Sequence, residues 1–308
     1  MTATTRTARW TPEAIADLHG RTAFITGGNS GIGLETARVL AVHGARVILA
    51  GRNQDKLDEA VAEIRKVQPD ARLDTAVVDL GSLASIRTAT ARVAETETID
   101  LLFNNAGVMN VPERRTTSDG FELTFGTNHL GHFALTAGLM PALRRSRAAR
   151  IVTVSAIAAT WRSGRLADLM SERSYGAMTA YAKSKRANVA FTQELARRLT
   201  GTTVEAVVVH PGSAVTNLQR HSEGPLARAF VAIASRLLLG SPEGAAWPSL
   251  YAGTSPDVRS GQFIGPAGRD QTSGTPRPVA LPDGAGDPAE GAFLWAESER
   301  LTGVRFDL

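Results

Sequence analysis

The chain has 308 residues, 43% of them apolar and 21% charged, an ordinary globular balance able to bury a sizeable core. Its net charge of +4 is modest and comes mostly from arginine, since only four lysines occur, and no dense basic run with interleaved aromatics supports nucleic-acid binding. The absence of cysteine excludes disulfides, thiolate metal sites and a cysteine nucleophile.

Apolar strand-like runs alternate with helical patterns from residue 21 onward. "RTAFIT" (21–26) precedes a helix to about His43, and "ARVILA" (45–50) a helix through about Val67. "RLDTAVV" (72–78) leads to a helix from about Ser82, and "IDLLF" (99–103) to a long helix over roughly 120–146. "RIVTVS" (150–155), a helix over about 177–200, "TVEAVVV" (203–209) and "GQFIG" (261–265) complete the series. This order predicts one α/β domain over 1–308: a Rossmann-type, doubly wound parallel sheet of about seven strands in a three-layer α/β/α sandwich. An N-terminal arm (1–20), an apolar lid insertion (about 213–240) and an irregular C-terminal extension (266–308) lie outside that rhythm. No run is long and apolar enough to span a bilayer, and "MTATTRTARWTPEAIADL" lacks the apolar centre of a secretion signal, so a soluble, cytoplasmic chain is expected. The six histidines show no metal-binding spacing with carboxylates, and His129 and His132, three apart on a helix, fit packing or surface roles; no metal is expected.

"FITGGNSGIG" places Gly27, Asn29, Ser30, Gly31, Ile32 and Gly33 between the first strand and the first helix. Glycines there let the backbone approach a ligand, and the helix N-terminus offers free N–H groups to a pyrophosphate, so a dinucleotide is expected. At the end of the second strand, "ILAGRNQDK" has no acid before Asp55 but carries Arg52. An arginine suits the 2′-phosphate of NADP(H), whereas an acid would suit the ribose hydroxyl of NAD. In "YAKSK", Tyr181 and Lys185 are four apart and share one helix face. A phenol is a poor acid or base near neutrality until a neighbouring ammonium lowers its pKa.

These motifs together resemble the short-chain dehydrogenase/reductase family over nearly the whole chain. "TGGNSGIG" (26–33) is similar to its cofactor loop, "NNAG" (104–107) to the segment after its fourth strand, and "VDL" (78–80) to its adenine-side motif. The resemblance implies cofactor contacts from Asp79, Leu80, Asn105, Ala106 and Gly107, and from Pro211, Gly212 and Thr216 in "HPGSAVT" (210–216). It also implies that Asn128 in "TNHLGHF" (127–133) holds a water in the proton relay. Tyr181 would exchange the proton at the substrate oxygen, and Lys185 would bind the nicotinamide ribose. "TNHLGHF" and "LWAESERLTGV" (294–304) look closest to the retinol dehydrogenase and protochlorophyllide reductase-like branch. A homo-oligomer is implied by the family's habits.

One position departs from the pattern. The branch ends its fifth strand with two serines, the second about 25 residues before the tyrosine, and that place is held by Ala156. Ser155 is then the first serine, pointing to the other face by strand alternation, unless a one-residue gap in the following loop brings it to the catalytic place. Thr160, a substrate hydroxyl or a water could serve instead, or the hydroxyl is lost. Met109, Trp161 and the lid residues Leu226, Phe230, Ile233 and Leu237 suggest a small apolar substrate of appreciable size, although the lid helix could equally pack on the core or on another subunit. The leading expectation is an NADP(H)-dependent oxidoreductase of an apolar carbonyl or alcohol. Two alternatives stay open: a reductase of a C=C or C=N bond, and an NADP-binding sensor or assembly partner with little turnover.

Overall fold

The computed structural model describes residues 9–161, 166–212 and 242–308; Thr216 and the lid insertion at 213–240 lie outside the described residues. Each strand before the fifth is followed by a helix or a helical segment. β1 (Thr22–Thr26) leads to α1 (Gly31–Val42), β2 (Arg46–Gly51) to α2 (Gln54–Val67), and β3 (Leu73–Val77) to α3 (Leu83–Thr96). β4 (Leu101–Asn104) is followed by α4 (Leu123–Phe125), a π-helical segment (Gly126–Leu130) and α5 (Gly131–Arg144). Then come β5 (Ala149–Val154), a 3₁₀ turn (Ile157–Thr160), α6 (Ala177–Arg198) and β6 (Val204–Val209). α7 (Pro242–Thr254), β7 (Phe263–Pro266), β8 (Pro276–Val279) and α8 (Pro288–Thr302) complete the described chain.

All eight strands form one sheet in the order β3-β2-β1-β4-β5-β6-β7-β8, parallel except for β8, which pairs antiparallel with β7. Side chains alternate across each strand, so β1 sends Phe24 into one apolar layer and Ala23 and Ile25 into the other. The first layer also holds Leu135 of α5 and Leu195 of α6; the second holds Leu40 of α1 and Leu250 of α7. Strand order reverses between β1 and β4, and ligands of such sheets sit in the crevice beyond the carboxyl ends at that point.

Two expectations are corrected. Eight strands among the described residues stand where about seven were expected, because the extension expected to be irregular over 266–308 forms α8 at Pro288–Thr302 and, before it, β8. Its Pro276 and Pro278 argue against a central strand, but an edge strand tolerates them because missing N–H groups there need not leave a ladder incomplete. The helix expected over 120–146 runs without interruption from Leu123 to Arg144, but with a widened turn at Gly126–Leu130 whose closing bond runs from Gly131 N to Gly126 O.

The N-terminal arm docks by Trp10, which meets Tyr251 of α7 edge-on at 5.3 Å. The C-terminal extension is anchored more deeply. α8 stacks Trp295 on Phe191 of α6, and the Arg198 guanidinium lies 4.3 Å from the Trp295 ring centre. Glu290 forms a buried, two-point ion pair with Arg186, at 3.1 and 2.9 Å, and also accepts from Leu166 N at 3.1 Å. One carboxylate thereby joins α6, the loop before it and the C-terminal segment. Glu290→Ala leaves a buried guanidinium without its counter-charge, and should lower stability in urea unfolding by about 3–5 kcal/mol. An unchanged unfolding midpoint would contradict this account of the C-terminal anchor.

Candidate active site

The crevice at the β1/β4 switch is a cavity of about 900 Å³. Gly27, Asn29, Ser30, Gly31 and Ile32 form one wall. Gly27 and Gly31 have φ of 66° and 55°, the left-handed region that glycine enters without strain. Ser30 caps α1 without a side-chain bond, and the first-turn N–H groups of a helix have no partners within it. Gly33 stands behind this wall rather than in it: a Cβ there would lie 2.3 Å from Gly27 O and 2.5 Å from Asn105 Nδ2.

The second wall is the segment after β4, with Asn105, Ala106 and Gly107. It is tied to β1 through Thr26, whose hydroxyl accepts from Asn105 N at 2.9 Å and Ala106 N at 3.0 Å, while Asn105 Nδ2 donates to Thr26 O at 2.8 Å. Gly107 lies close to Asn128 and Lys185. A methyl there would sit 3.1 Å from Asn128 Oδ1 and 3.5 Å from Lys185 Nζ.

Arg52, Asn53 and Lys56 line the end of the cavity beyond β2, and Pro211 and Gly212 close it beyond β6. Arg52 is exposed and makes no hydrogen bond or ion pair among the described residues. Lys56 was missed in the sequence; its signal is a second cation four residues after Arg52, one turn along α2. Leu80 lines the cavity beside Val78, another omission, but Asp79 does not; its carboxylate turns back to accept from Gly81 N at 2.9 Å.

Tyr181 and Lys185 reach the same cavity from α6. Lys185 Nζ donates to Val154 O at 3.0 Å and lies 5.8 Å from the Tyr181 ring centre. Burial pushes the Tyr181 phenol well above its ordinary range and lowers Lys185 to about 8, so both stand protonated near neutrality. Asn128 is fully buried in the π turn and does not line the cavity. Its side-chain oxygen accepts from Val108 N at 2.7 Å, and its amide group donates to Val108 O and Ser184 Oγ, each at 2.9 Å. Thr127, beside it, is the residue of this turn at the cavity wall.

Ser155 requires a correction. It borders the cavity but is 1% exposed, and its hydroxyl donates to Lys185 O at 2.7 Å, tethering α6 to the end of β5. Strand alternation turns it to that side, and Ala156 takes the other, packing with Met109, Ala158, Tyr181 and Ala182. Thr160 is not brought in either; it is exposed and its hydroxyl donates to Ile157 O at 2.7 Å. The rim carries Trp161, 58% exposed, and Met178, 38% exposed. His129 and His132 are buried, and among the described residues no cluster of histidines and carboxylates could hold a metal. No helix among the described residues is long and apolar enough to cross a membrane.

Comparison with known proteins finds relatives over most of the chain. A family model described as short chain dehydrogenase matches residues 21–225. Retinol dehydrogenase 14 of Mus musculus is 39% identical over 301 residues, spanning 93% of this chain and 87% of its own. A crystal structure of an uncharacterized protein from Mycobacterium paratuberculosis is 38% identical, covers 97% of this chain and 100% of its own, and superposes with a TM-score of 0.79. A structure described as an NAD(P) dependent gluconate 5-dehydrogenase from Beutenbergia cavernae, with bound NADP, is 27% identical with a TM-score of 0.62 over 80% of this chain and 95% of its own.

The contact at Gly33 yields a test of the loop. Gly33→Ala drives a methyl into the Gly27 carbonyl and the Asn105 amide, and should cost about 1–3 kcal/mol of stability in thermal or urea unfolding. Full stability in this variant would show that the loop and the segment after β4 are not packed as described.

Proposed function

The chain belongs to the short-chain dehydrogenase family, in its retinol-dehydrogenase-like branch, and from that premise we propose that it is an NADP(H)-dependent oxidoreductase of an apolar carbonyl or alcohol. The observation that carries this reading is the placement of Tyr181 and Lys185 on the wall of the cavity that the glycine loop opens. The residues fit the cofactor. Gly27, Gly31 and the α1 N-terminus would hold its pyrophosphate, Arg52 and Lys56 would pair with its 2′-phosphate, and Lys185 would bind its nicotinamide ribose. The NADP in the gluconate 5-dehydrogenase neighbour supports the choice of a nicotinamide.

When bound, the nicotinamide supplies or accepts the hydride. The chain's own residues handle the proton. In reduction Tyr181 donates its phenolic proton to the substrate oxygen as charge develops there, and in oxidation it accepts that proton. Burial holds the phenol in its acid form, which suits reduction. Lys185 opposes that effect as an ammonium favouring the phenolate, and so eases the proton's departure. Met109, Ala156 and Ala158 make the surroundings of the phenol apolar.

The apolar contact at Ala156 also favours a second reading, reduction of a C=C or C=N bond, in which a second donor to a carbonyl oxygen matters less. One assay separates the two: NADPH oxidation against hydrophobic ketones, aldehydes and enones, with product analysis, for the wild type, Ala156→Ser and Tyr181→Phe. The carbonyl reading predicts measurable wild-type ketone or aldehyde reduction that Tyr181→Phe lowers by about 10²–10⁴. If only Ala156→Ser reduces carbonyls, with a gain of about 10²–10³, the natural reaction is at another bond. No NADPH oxidation by any of the three proteins would contradict both enzyme readings.

Cofactor choice is tested separately. Arg52→Glu should weaken NADPH binding by about ten- to a hundredfold in a fluorescence titration while leaving NADH binding unchanged or stronger. Equal wild-type affinity for NADH and NADPH would remove the role assigned to Arg52.

A further inference from the structure

The hydroxyl of Thr26 is a node with more neighbours than it has bonds. Around it stand Asn105 N at 2.9 Å, Ala106 N at 3.0 Å, Phe103 O at 3.2 Å and His132 Nε2 at 2.9 Å. A hydroxyl has one proton and two lone pairs, and the two backbone N–H groups take both lone pairs. A third N–H pointing at the oxygen has no place to bond. His132 Nε2 must therefore face the hydroxyl as an acceptor.

The other ring nitrogen leads to the same assignment. His132 Nδ1 lies 2.9 Å from Asn128 O, and a carbonyl oxygen only accepts, so Nδ1 carries the proton. The ring is fully buried, and burial lowers it to about 4, with the Lys185 charge adding to the effect. The hydroxyl's one proton then faces two acceptors, Nε2 at 2.9 Å and Phe103 O at 3.2 Å, and goes to the nearer; the other tautomer and the imidazolium would instead point a third N–H at an oxygen with no lone pair left.

We infer that His132 is a positioning residue that locks the cofactor loop to the helix turn supporting the reactive tyrosine. It accepts the Thr26 proton, which keeps both Thr26 lone pairs turned to the segment after β4. It donates to Asn128 O, which fixes the widened turn from which Asn128 grips Val108 and Ser184. Ser184 in turn donates to Tyr181 O at 2.8 Å. A continuous path of hydrogen bonds thus runs from the residue before Gly27 to the backbone of Tyr181, with the imidazole at its midpoint. The catalytic reading of the cleft gives this path its purpose, but the proton assignment stands without it.

The experiment has two parts, both independent of turnover. Nitrogen NMR of the wild-type imidazole side chains should show His132 as the neutral Nδ1–H form; a proton on Nε2, or on both nitrogens, overturns the inference. Amide exchange then separates the two halves of the ring. An asparagine side chain reaches the Nδ1 position and a glutamine side chain the Nε2 position. In His132→Asn, the Ala106 amide should lose about tenfold in protection while the Val108 amide keeps its own. In His132→Gln, the Val108 amide should be the one that loses. Thr26→Ser should retain Ala106 protection and Thr26→Val should lose it. Equal losses at both amides in both variants, tracking global stability, would reduce His132 to a core residue and overturn the inference. The split between the two variants, together with a wild type that binds no NADPH, supports the positioning and sinks the cofactor reading instead.

Discussion

The arrangement of this cleft depends on how one threonine hydroxyl at the end of β1 shares its single proton and two lone pairs. Parallel strands bring the ends of β1 and β4 side by side, but register alone leaves the two loops that follow free to diverge. Thr26 removes that freedom by accepting from two successive backbone N–H groups, Asn105 and Ala106, while the Asn105 side chain returns a bond to the Thr26 carbonyl. Gly33 completes the constraint from the other side, because only a residue without Cβ lets α1 press against Gly27 and Asn105 so closely. The cavity floor is thus set by hydrogen-bond stoichiometry and close backbone contact.

Tyr181 and Lys185 lie at the far end of the same construction. α6 is pinned by Ser155 to its Lys185 carbonyl, by Lys185 to Val154, and by Arg186 to Glu290. Three consecutive anchors on one helix turn leave Tyr181 little room to move. Burying a phenol and an ammonium together opposes the ionisation of both, and this is the cost of keeping water from the place where proton transfer is proposed. Ala156 extends the dry surface, so the proton donor proposed for the substrate works against an apolar background.

Much of this was legible in the sequence, for identifiable reasons. The strands of a covered parallel sheet are continuous apolar runs, so β1, β2, β5 and β6 emerge within a residue of their places. Tyr181 and Lys185 emerge because helical spacing puts residues four apart on one face. Strand alternation by itself argues that Ser155 and Ala156 face opposite ways, as they do. What escaped depends on partners remote in sequence. β8 is a strand only because β7 offers it an edge, against two prolines. The π turn at Asn128 exists in partnership with Val108, 20 residues away, and its widening carries no proline or glycine signature at the asparagine itself. Lys56 reads as a solvated helix residue until β2 and α2 are placed around one cavity.

The β1/β4 crevice is proposed here as the nicotinamide site, with the Thr26 network carrying its occupation to the tyrosine helix. The most direct measurement is amide hydrogen exchange of the wild-type chain with and without NADP⁺. If the proposal holds, binding adds protection at residues 27–33 and 105–108, extending to 128–132 and 181–185, with β7 and β8 unchanged. Protection confined to other segments, or none at saturating NADP⁺, would contradict it.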